Sequence, residues 1–352
     1  MEAIIKNRPG HGAEFIKDLS EPIVGKRDVL IEVAAASVCG TDRELYEWTP
    51  SAQAFNLELP VVIGHEVSGT VLEVGSDVTT IAPGDRVALE SHVPCLDCYQ
   101  CRIGNAHNCL NMRILGMHVN GGFAQRTAVP ESIVVKLPES VSLEVGSLME
   151  SAGVALTALA RSGFAGVGGV VVVSGCGPVG LVAIQLSMLF GASHVIAIEP
   201  NPYRRAIAES LGAQVLDPSD DVVDYVRTVS GRRGGADVAF EVSAAPSALP
   251  TLLEAVRREG DVVTIGHPGS KIPIDIAAYI NKKGITLRGV FGRRLWSTWE
   301  DLSHLLASGR LDLSWLITHR LNLRDFDHAI ELLTGEANKV VLFPNGVLSD
   351  NQ

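Results

Sequence analysis

The sequence lacks an apolar run long enough to cross a bilayer, which needs about 20 residues. Its most apolar stretch, residues 179–190, is interrupted by Gln185 and Ser187 and predicts a buried helix instead. The first nine residues predict a short strand and a turn, without the apolar core of a signal peptide. We therefore expect neither a membrane partner nor export.

The sequence also lacks a stripe of positive charge. Its 29 lysines and arginines are scattered among 40 acidic residues, which leaves a formal net charge of -11. Without a basic footprint for a phosphate backbone, we expect no nucleic-acid partner. Internal repeats, low-complexity tracts and linkers are not evident, and 46% apolar with 20% charged residues is an ordinary globular balance.

Cysteine is scarce, and its distribution is uneven. Four of the six cysteines, at gaps of two, two and seven residues, form one short loop: Cys95, Cys98, Cys101 and Cys109. Six cysteines in a chain of this size without an export signal indicate a reducing compartment, so we expect the cytoplasm. Four thiolates at this spacing can close a tetrahedron around zinc, which predicts a structural zinc site. A disulfide-paired or redox-active loop and an iron–sulfur cluster are the alternatives.

The rhythm of the sequence changes near residue 150. Before it, apolar runs such as 29–33 and 69–74 are separated by Gly and Pro turns, which predicts a strand-rich domain. From residue 151 onward, strands and helices alternate, and this predicts a doubly wound parallel sheet with crossover helices. The expected strands cover 170–173, 194–198, 237–242, 262–265 and 286–290, and the expected helices cover 179–190 and 204–211.

The pattern changes again after about residue 295. We expect a helix at 299–307 and a terminal strand at 339–343 that returns to the first domain. Residues 1–150, completed by about 295–352, would then form a catalytic domain. Residues 151–294 would form an α/β nucleotide-binding domain.

A glycine-rich turn follows the first strand of the second domain. Gly175, Gly177 and Gly180 fit the pattern G-x-G-x-x-G, and Pro178 and Val179 open the next helix. The first glycine permits a tight turn, the second lets a pyrophosphate approach, and the third lets helix and strand pack closely. The helix N-terminus offers free N–H groups to phosphates. This turn predicts a dinucleotide site.

An acidic residue follows at the distance such sites require. Glu199 ends the next strand about 20 residues after the turn, where a carboxylate binds the adenosine ribose hydroxyls. This favours NAD, because the carboxylate would repel a 2′-phosphate. Arg204 and Arg205 follow closely and keep NADP as an alternative.

Two further motifs are weak singly, because a lone Cys or His is usually a packing residue. They are Cys39-Gly40-Thr41-Asp42 and Gly64-His65-Glu66. Together with the four-cysteine loop and the glycine-rich turn, they resemble the zinc-dependent medium-chain alcohol dehydrogenase family. Within it the chain most resembles the threonine dehydrogenases, through Tyr46-Glu47-Trp48, Glu90-Ser91-His92, Phe291-Gly292-Arg293 and Ile317-Thr318-His319.

The resemblance implies a fold and a set of functional residues. The fold would be a strand-rich GroES-like catalytic domain followed by a Rossmann domain. Cys39 and His65 would bind a catalytic zinc, and Glu66 and Glu150 would bind it directly or lie just behind it. A zinc with an open position activates an alcohol while a hydride passes to the nicotinamide.

The resemblance also implies residues for proton transfer and substrate contact. Thr41 would begin a proton relay, and His92 and Arg293 would contact the substrate, the guanidinium suiting a carboxylate. Two departures stand out. Glu44 replaces a usual His, so the relay would differ or end on a carboxylate, and Val154 replaces a usual polar amide near the substrate.

These residues lead to one expected activity and several alternatives. We expect NAD-linked oxidation of a small secondary alcohol, L-threonine or another β-hydroxy acid, with two zinc ions per subunit. A polyol, sugar or aminocyclitol dehydrogenase is the alternative. A non-catalytic zinc-stabilised binding or redox-sensing protein and a zinc-free quinone reductase are further readings. The family implies a homotetramer or homodimer, built by extending the sheet near residues 286–290.

Overall fold

The computed structural model describes residues 1–164 and 166–346. The chain divides into two compact units. The first contains Met1–Glu150 and Arg294–Gln352, and the second contains Ser151–Arg293.

Strands dominate the N-terminal part of the chain and alternate with helices from residue 170. The strands before residue 140 are β1 (Ala3–Lys6), β2 (Glu14–Ile16), β3 (Asp28–Val38), β4 (Val61–Val62), β5 (Glu66–Val74), β6 (Arg86–Leu89), β7 (His92–Val93), β8 (Arg113–Ile114), β9 (Arg126–Pro130) and β10 (Val134–Lys136). The later strands are β11 (Val170–Ser174), β12 (His194–Ile198), β13 (Gln214–Leu216), β14 (Ala236–Glu241), β15 (Val256–Thr264), β16 (Thr286–Gly289), β17 (Ile317–Asn322) and β18 (Lys339–Phe343).

Helices occur in both units. The α-helices are α1 (Gly40–Glu47), α2 (Pro50–Ala54), α3 (Tyr99–Arg102), α4 (Leu143–Arg161), α5 (Pro178–Leu189), α6 (Pro202–Ser210), α7 (Val222–Ser230), α8 (Ala248–Ala255), α9 (Ser297–Ala307) and α10 (Phe326–Leu332). Single turns of 3₁₀-helix lie at Ala106–Asn108, Glu131–Ile133, Gly231–Arg233, Ser314–Leu316 and Leu323–Asp325, and a π-helical turn lies at Ala277–Lys282.

The first unit is built around a mixed seven-stranded sheet. Its order is β10-β6-β5-β3-β18-β17, and β9 also pairs with β3. In β3 the alternate residues Val29, Ile31 and Val33 are fully buried, as period-2 patterning predicts. The C-terminal strand β18 pairs antiparallel with β3, so the tail returns to this unit as expected. Separate small sheets form from β2-β1-β4 and β7-β8.

The second unit contains one parallel sheet of six strands. Its order is β13-β12-β11-β14-β15-β16, in which each pair is parallel. Numbered within the unit, this is the 3-2-1-4-5-6 order of a doubly wound dinucleotide fold. Strand β11 is buried along its whole length, because a parallel sheet is covered on both faces. The expected α/β architecture is confirmed.

Helix α4 was not predicted from the sequence. Gly146 and Gly153 interrupt a run that is otherwise rich in the strong helix formers Ala, Leu and Glu. It is the one helix among the described residues with the length and composition of a membrane span. However, 72% of its apolar window is buried inside the structure, as in a core helix.

Candidate functional site

Four cysteine side chains of the first unit converge in one loop. The sulfur atoms of Cys95, Cys98, Cys101 and Cys109 lie within 4.8 Å of one another. Three of the pairs are 3.4, 3.5 and 3.8 Å apart. A disulfide would need about 2.05 Å, whereas four sulfurs around one tetrahedral zinc lie about 3.8 Å apart. The spacing of the four sulfurs is therefore that of a set of metal ligands rather than of a disulfide.

Backbone N–H groups surround these sulfurs. The amide of Cys98 donates to Sγ of Cys95 at 3.4 Å, and the amide of Cys95 donates to Sγ of Cys109 at 3.3 Å. The Asp97 and Cys98 amides lower the pKa of Cys95 to about 6, whereas burial and the neighbouring thiols raise the pKa of Cys101 to about 12. A divalent cation would compensate the mutual repulsion of four thiolates.

A second group of possible metal ligands lies at the start of α1 and of β5. The ligand atoms of Cys39, His65 and Glu66 lie within 4.8 Å of one another. Cys39 is the N-cap of α1, and His65 and Glu66 are 6% and 0% exposed. The structure therefore brings together three of the four predicted ligands. Glu150, the fourth, lies on α4, and its Oε1 accepts the Ser91 hydroxyl at 2.6 Å.

Asp42 supports two of these ligands and was not assigned a role from the sequence. Its Oδ2 accepts the backbone N–H of Cys39 at 2.8 Å, and its Oδ1 lies 3.4 Å from Nδ1 of His65. Burial would lower the pKa of His65, but Asp42 and then Cys39 raise it well above its usual value. The ring environment therefore stabilises positive charge, which suits a site for a cation.

Lys339 is a second residue that sequence reasoning missed. Its ammonium is 2% exposed and donates to both carboxylate oxygens of Glu66, at 2.6 Å to Oε1. Burial would lower the pKa of Lys339, but the carboxylate of Glu66 and the sulfur of Cys39 raise it. Glu66 is thus held by an ion pair at the edge of the ligand group.

The residues expected to transfer protons lie on α1, and those expected to contact the substrate are buried elsewhere in the two units. Oγ1 of Thr41 lies 3.9 Å from Sγ of Cys39, while Glu44 is half-buried on α1. His92 is 5% exposed in the first unit, and its ring Nδ1 lies 3.0 Å from Glu90. Arg293 is 2% exposed and is the last residue of the second unit.

The glycine-rich turn of the second unit has the form that a dinucleotide requires. Gly175 has a φ of +96°, and a Cβ on Gly180 would lie 1.9 Å from the carbonyl oxygen of Gly175. Nothing lies within 4 Å of a Cβ built on Gly177, so the backbone there is open to a ligand. Helix α5 begins at Pro178 and Val179 and directs its free N–H groups to this turn.

Glu199 lies beside the turn and keeps its backbone in place. Its carboxylate accepts the amides of Cys176 at 2.7 Å and Asn201 at 2.9 Å, which leaves acceptor capacity for ribose hydroxyls. The guanidinium of Arg205 is engaged by Asp217 and two carbonyls. Nε of Arg204 is buried and has no hydrogen-bond partner among the described residues.

Two family models match the chain. Residues 25–139 match the alcohol dehydrogenase GroES-like domain, and residues 178–308 match the zinc-binding dehydrogenase model. The first range contains the four-cysteine loop, Cys39 and His65, and the second begins at Pro178, at the end of the glycine-rich turn. The residue patterns and the family models therefore agree in chain position.

Individual proteins are similar over nearly the full length. L-threonine 3-dehydrogenase of Caldanaerobacter subterraneus subsp. tengcongensis is 40% identical over 98% of this chain and 99% of its own. The enzyme of the same name from Pyrococcus horikoshii is 40% identical over 97% and 98%. The crystal structure of 2R,3R-butanediol dehydrogenase from Bacillus subtilis matches with a TM-score of 0.88 at 30% identity, over 98% and 99%. This chain belongs to the zinc-binding medium-chain alcohol dehydrogenase family.

Proposed function

We propose that this protein oxidises the secondary hydroxyl of L-threonine or a related β-hydroxy acid to a ketone, with NAD as the hydride acceptor. The observation that carries the proposal is the convergence of Cys39, His65 and Glu66. A thiolate, an imidazole and a carboxylate are the donors that zinc prefers, and three protein ligands leave a position for substrate. The 40% identity to L-threonine 3-dehydrogenases supports this substrate class.

We assign the catalytic zinc to Cys39 and His65, with Glu66 and Glu150 as carboxylates that bind it or lie behind it. When bound, zinc acts as a Lewis acid toward the substrate oxygen. The chain's own groups orient the ligands: Asp42 holds His65, and Lys339 holds Glu66. The four-cysteine loop takes the second, structural zinc.

The remaining roles follow from the chemistry of each side chain. Thr41 accepts the alcohol proton and passes it on, with Glu44 on the same helix as a carboxylate acceptor. His92 positions the substrate, and Arg293 binds its carboxylate through a guanidinium fork. Glu199 binds the adenosine ribose of NAD, and Gly177 admits the pyrophosphate. Arg204, which follows Glu199 closely in the sequence, softens the preference for NAD over NADP.

The alternative substrate class is a polyol, sugar or aminocyclitol. The fold likeness to a butanediol dehydrogenase favours it, as does Val154 in place of a polar amide. Both readings keep the zinc and NAD assignments. They differ in whether the substrate offers a carboxylate to Arg293.

We further propose a cytoplasmic homotetramer or homodimer assembled through β16. This strand lies at the edge of the parallel sheet, and all four of its residues are exposed. An exposed strand edge offers unpaired backbone groups to a second copy. None of the six cysteines, all of which lie among the described residues, forms a disulfide, which supports a reducing compartment.

The first test is NADH formation by the zinc-loaded protein across L-threonine, other β-hydroxy acids, sorbitol and aminocyclitols. We expect kcat/KM for L-threonine to exceed that for every polyol by at least tenfold. Replacement of Arg293 by Lys should raise KM for L-threonine far more than for polyols, since Lys lacks the bidentate fork. Preference for a polyol would show that the substrate belongs to the alternative class. Absence of any dehydrogenation would contradict the proposal.

A further inference from the structure

Glu90, which directly follows β6, is a fully buried carboxylate that contacts His92 and Trp299. Its Oε1 accepts the backbone N–H of His92 at 2.8 Å and lies 3.0 Å from Nδ1 of the His92 ring. Its Oε2 accepts the indole N–H of Trp299, on α9, at 2.7 Å. Glu90, His92 and Trp299 are 0%, 5% and 2% exposed. A buried carboxylate with this many defined contacts holds its neighbours in one arrangement.

We propose that Glu90, held by Trp299, is a positioning residue that keeps the His92 proton on Nδ1. Nε2 then carries the lone pair and accepts a hydrogen bond from the substrate. This inference rests on the proposed contact between His92 and the substrate. It adds two residues, Glu90 and Trp299, that no sequence pattern assigned to the reaction.

The direction of each hydrogen bond follows from what the groups can donate. A backbone amide and an indole N–H can only donate, so both carboxylate oxygens of Glu90 act as acceptors. Each oxygen of Glu90 already faces an N–H that can only donate, so the carboxylate is also the acceptor toward the His92 ring, and Nδ1 supplies the hydrogen. In a neutral imidazole the other nitrogen is then the acceptor. The same contact fixes the plane of the ring.

The tautomer has a consequence for substrate choice. A lone pair on Nε2 complements the N–H of an α-ammonium group, which L-threonine has and 3-hydroxybutyrate lacks. With the proton on Nε2 instead, two N–H groups would face each other and repel. Glu90 therefore favours a substrate that offers a hydrogen at this point, and the preference for L-threonine over 3-hydroxybutyrate depends on it.

The experiment compares Glu90→Gln, Trp299→Phe and their combination in full-length, zinc-loaded protein. In Glu90→Gln the new amide NH₂ faces either the indole N–H or the two N–H groups of His92. In both orientations one donor faces another donor, and the two repel. In the double variant the indole donor is gone, and the amide oxygen is free to face His92. The two changes are therefore coupled, which a double-mutant cycle measures.

The primary measurement is the ring ¹⁵N spectrum of histidine-labelled protein, with the His92 signals identified by their loss in His92→Gln. We expect a protonated Nδ1 and an unprotonated Nε2 in the wild type, a shifted or mixed pattern in Glu90→Gln, and recovery in the double variant. We expect kcat/KM for L-threonine to fall about 10- to 100-fold in Glu90→Gln, with a smaller fall for 3-hydroxybutyrate. A wild-type His92 protonated on Nε2, or a Glu90→Gln spectrum unchanged at His92, would overturn the inference.

Glu331→Gln is the matched control, because it makes the same change beside a histidine at the surface. Glu331 lies 3.5 Å from Nδ1 of His328, and the His328 side chain is 59% exposed. This change should leave both the His92 signals and kcat/KM unchanged. The spectrum is recorded without substrate, so it separates the two proposals. If L-threonine is not oxidised but the His92 tautomer depends on Glu90, the substrate assignment fails and the positioning role stands.

Discussion

Lys339 and Glu66 form a charge pair in the interior of the first unit, with exposed side-chain fractions of 2% and 0%. Two apolar residues of the same size would cost less to bury, because each ion loses its hydration. Stability is therefore a weak reason for such a pair. Its position beside Cys39 and His65 indicates that it orients the Glu66 carboxylate within the ligand group.

Replacement of Lys339 by Met tests this pair. The variant leaves the Glu66 carboxylate buried without its ammonium, so we expect the free energy of unfolding to fall by about 3–5 kcal/mol. Urea unfolding of zinc-loaded protein measures it. Arg43→Ala, which breaks the exposed pair between Arg43 and Glu47, should cost about 0.5 kcal/mol or less. A loss below about 1 kcal/mol in Lys339→Met would mean that zinc, rather than Lys339, neutralises Glu66.

Sequence reasoning found ligands but not the residues that hold them, and chain separation explains the difference. Lys339 is 273 positions from Glu66, and Trp299 is 209 positions from Glu90. No local spacing connects partners that only the fold brings together. Asp42 is different, because an acidic residue three positions after an N-cap is a local capping signal. It could have been assigned from the sequence.

At the scale of elements, strands whose ends are marked by polar residues or proline were predicted well. The expected ranges 194–198 and 339–343 coincide with β12 and β18, where short runs of apolar residues end at a polar residue or at proline. Strand β15 was expected at 262–265 but begins at Val256. Its first half contains Arg257, Arg258 and Glu259, which are charged and largely exposed, so burial patterning gave no signal there.

The four-cysteine loop yields a prediction about metal content. Cys98→Ser removes one thiolate from a tetrahedral set, so we expect the zinc count to fall from two per subunit to one, measured by elemental analysis. Hydrogen exchange should rise across residues 93–114, because structural zinc contributes about 10–16 kcal/mol to the folding of small zinc domains.

The matched control is Cys176→Ser, since Cys176 is fully buried in the second unit and belongs to neither ligand group. Zinc content in this variant should stay at two per subunit. Two zinc ions retained in Cys98→Ser would show that the loop is not a metal site. Loss of zinc in Cys39→Ser, with unchanged exchange across residues 93–114, would separate the two sites.

At the scale of the whole molecule, the sheets of the two units differ in which strands lie at their edges and in how exposed those strands are. In the first unit the C-terminal strand β18 inserts beside β3, and β17 follows it. In the second unit β16 forms one edge, and its four residues are all exposed. Leu287 within it and Phe291 just after it are 38% and 39% exposed, so apolar surface accompanies the open edge. This combination is the basis for the proposed assembly through β16.

Replacement of Leu287 by Lys tests that interface. A charge on an edge strand opposes pairing with a second copy, and two-fold symmetry would bring the introduced charges together. We expect the mass in solution, measured by light scattering after size exclusion, to fall by half or more, with two zinc ions retained. Leu72→Lys is the matched control, because Leu72 is 40% exposed on β5, an interior strand of its sheet. A Leu287→Lys mass equal to that of the control would place the subunit interface elsewhere.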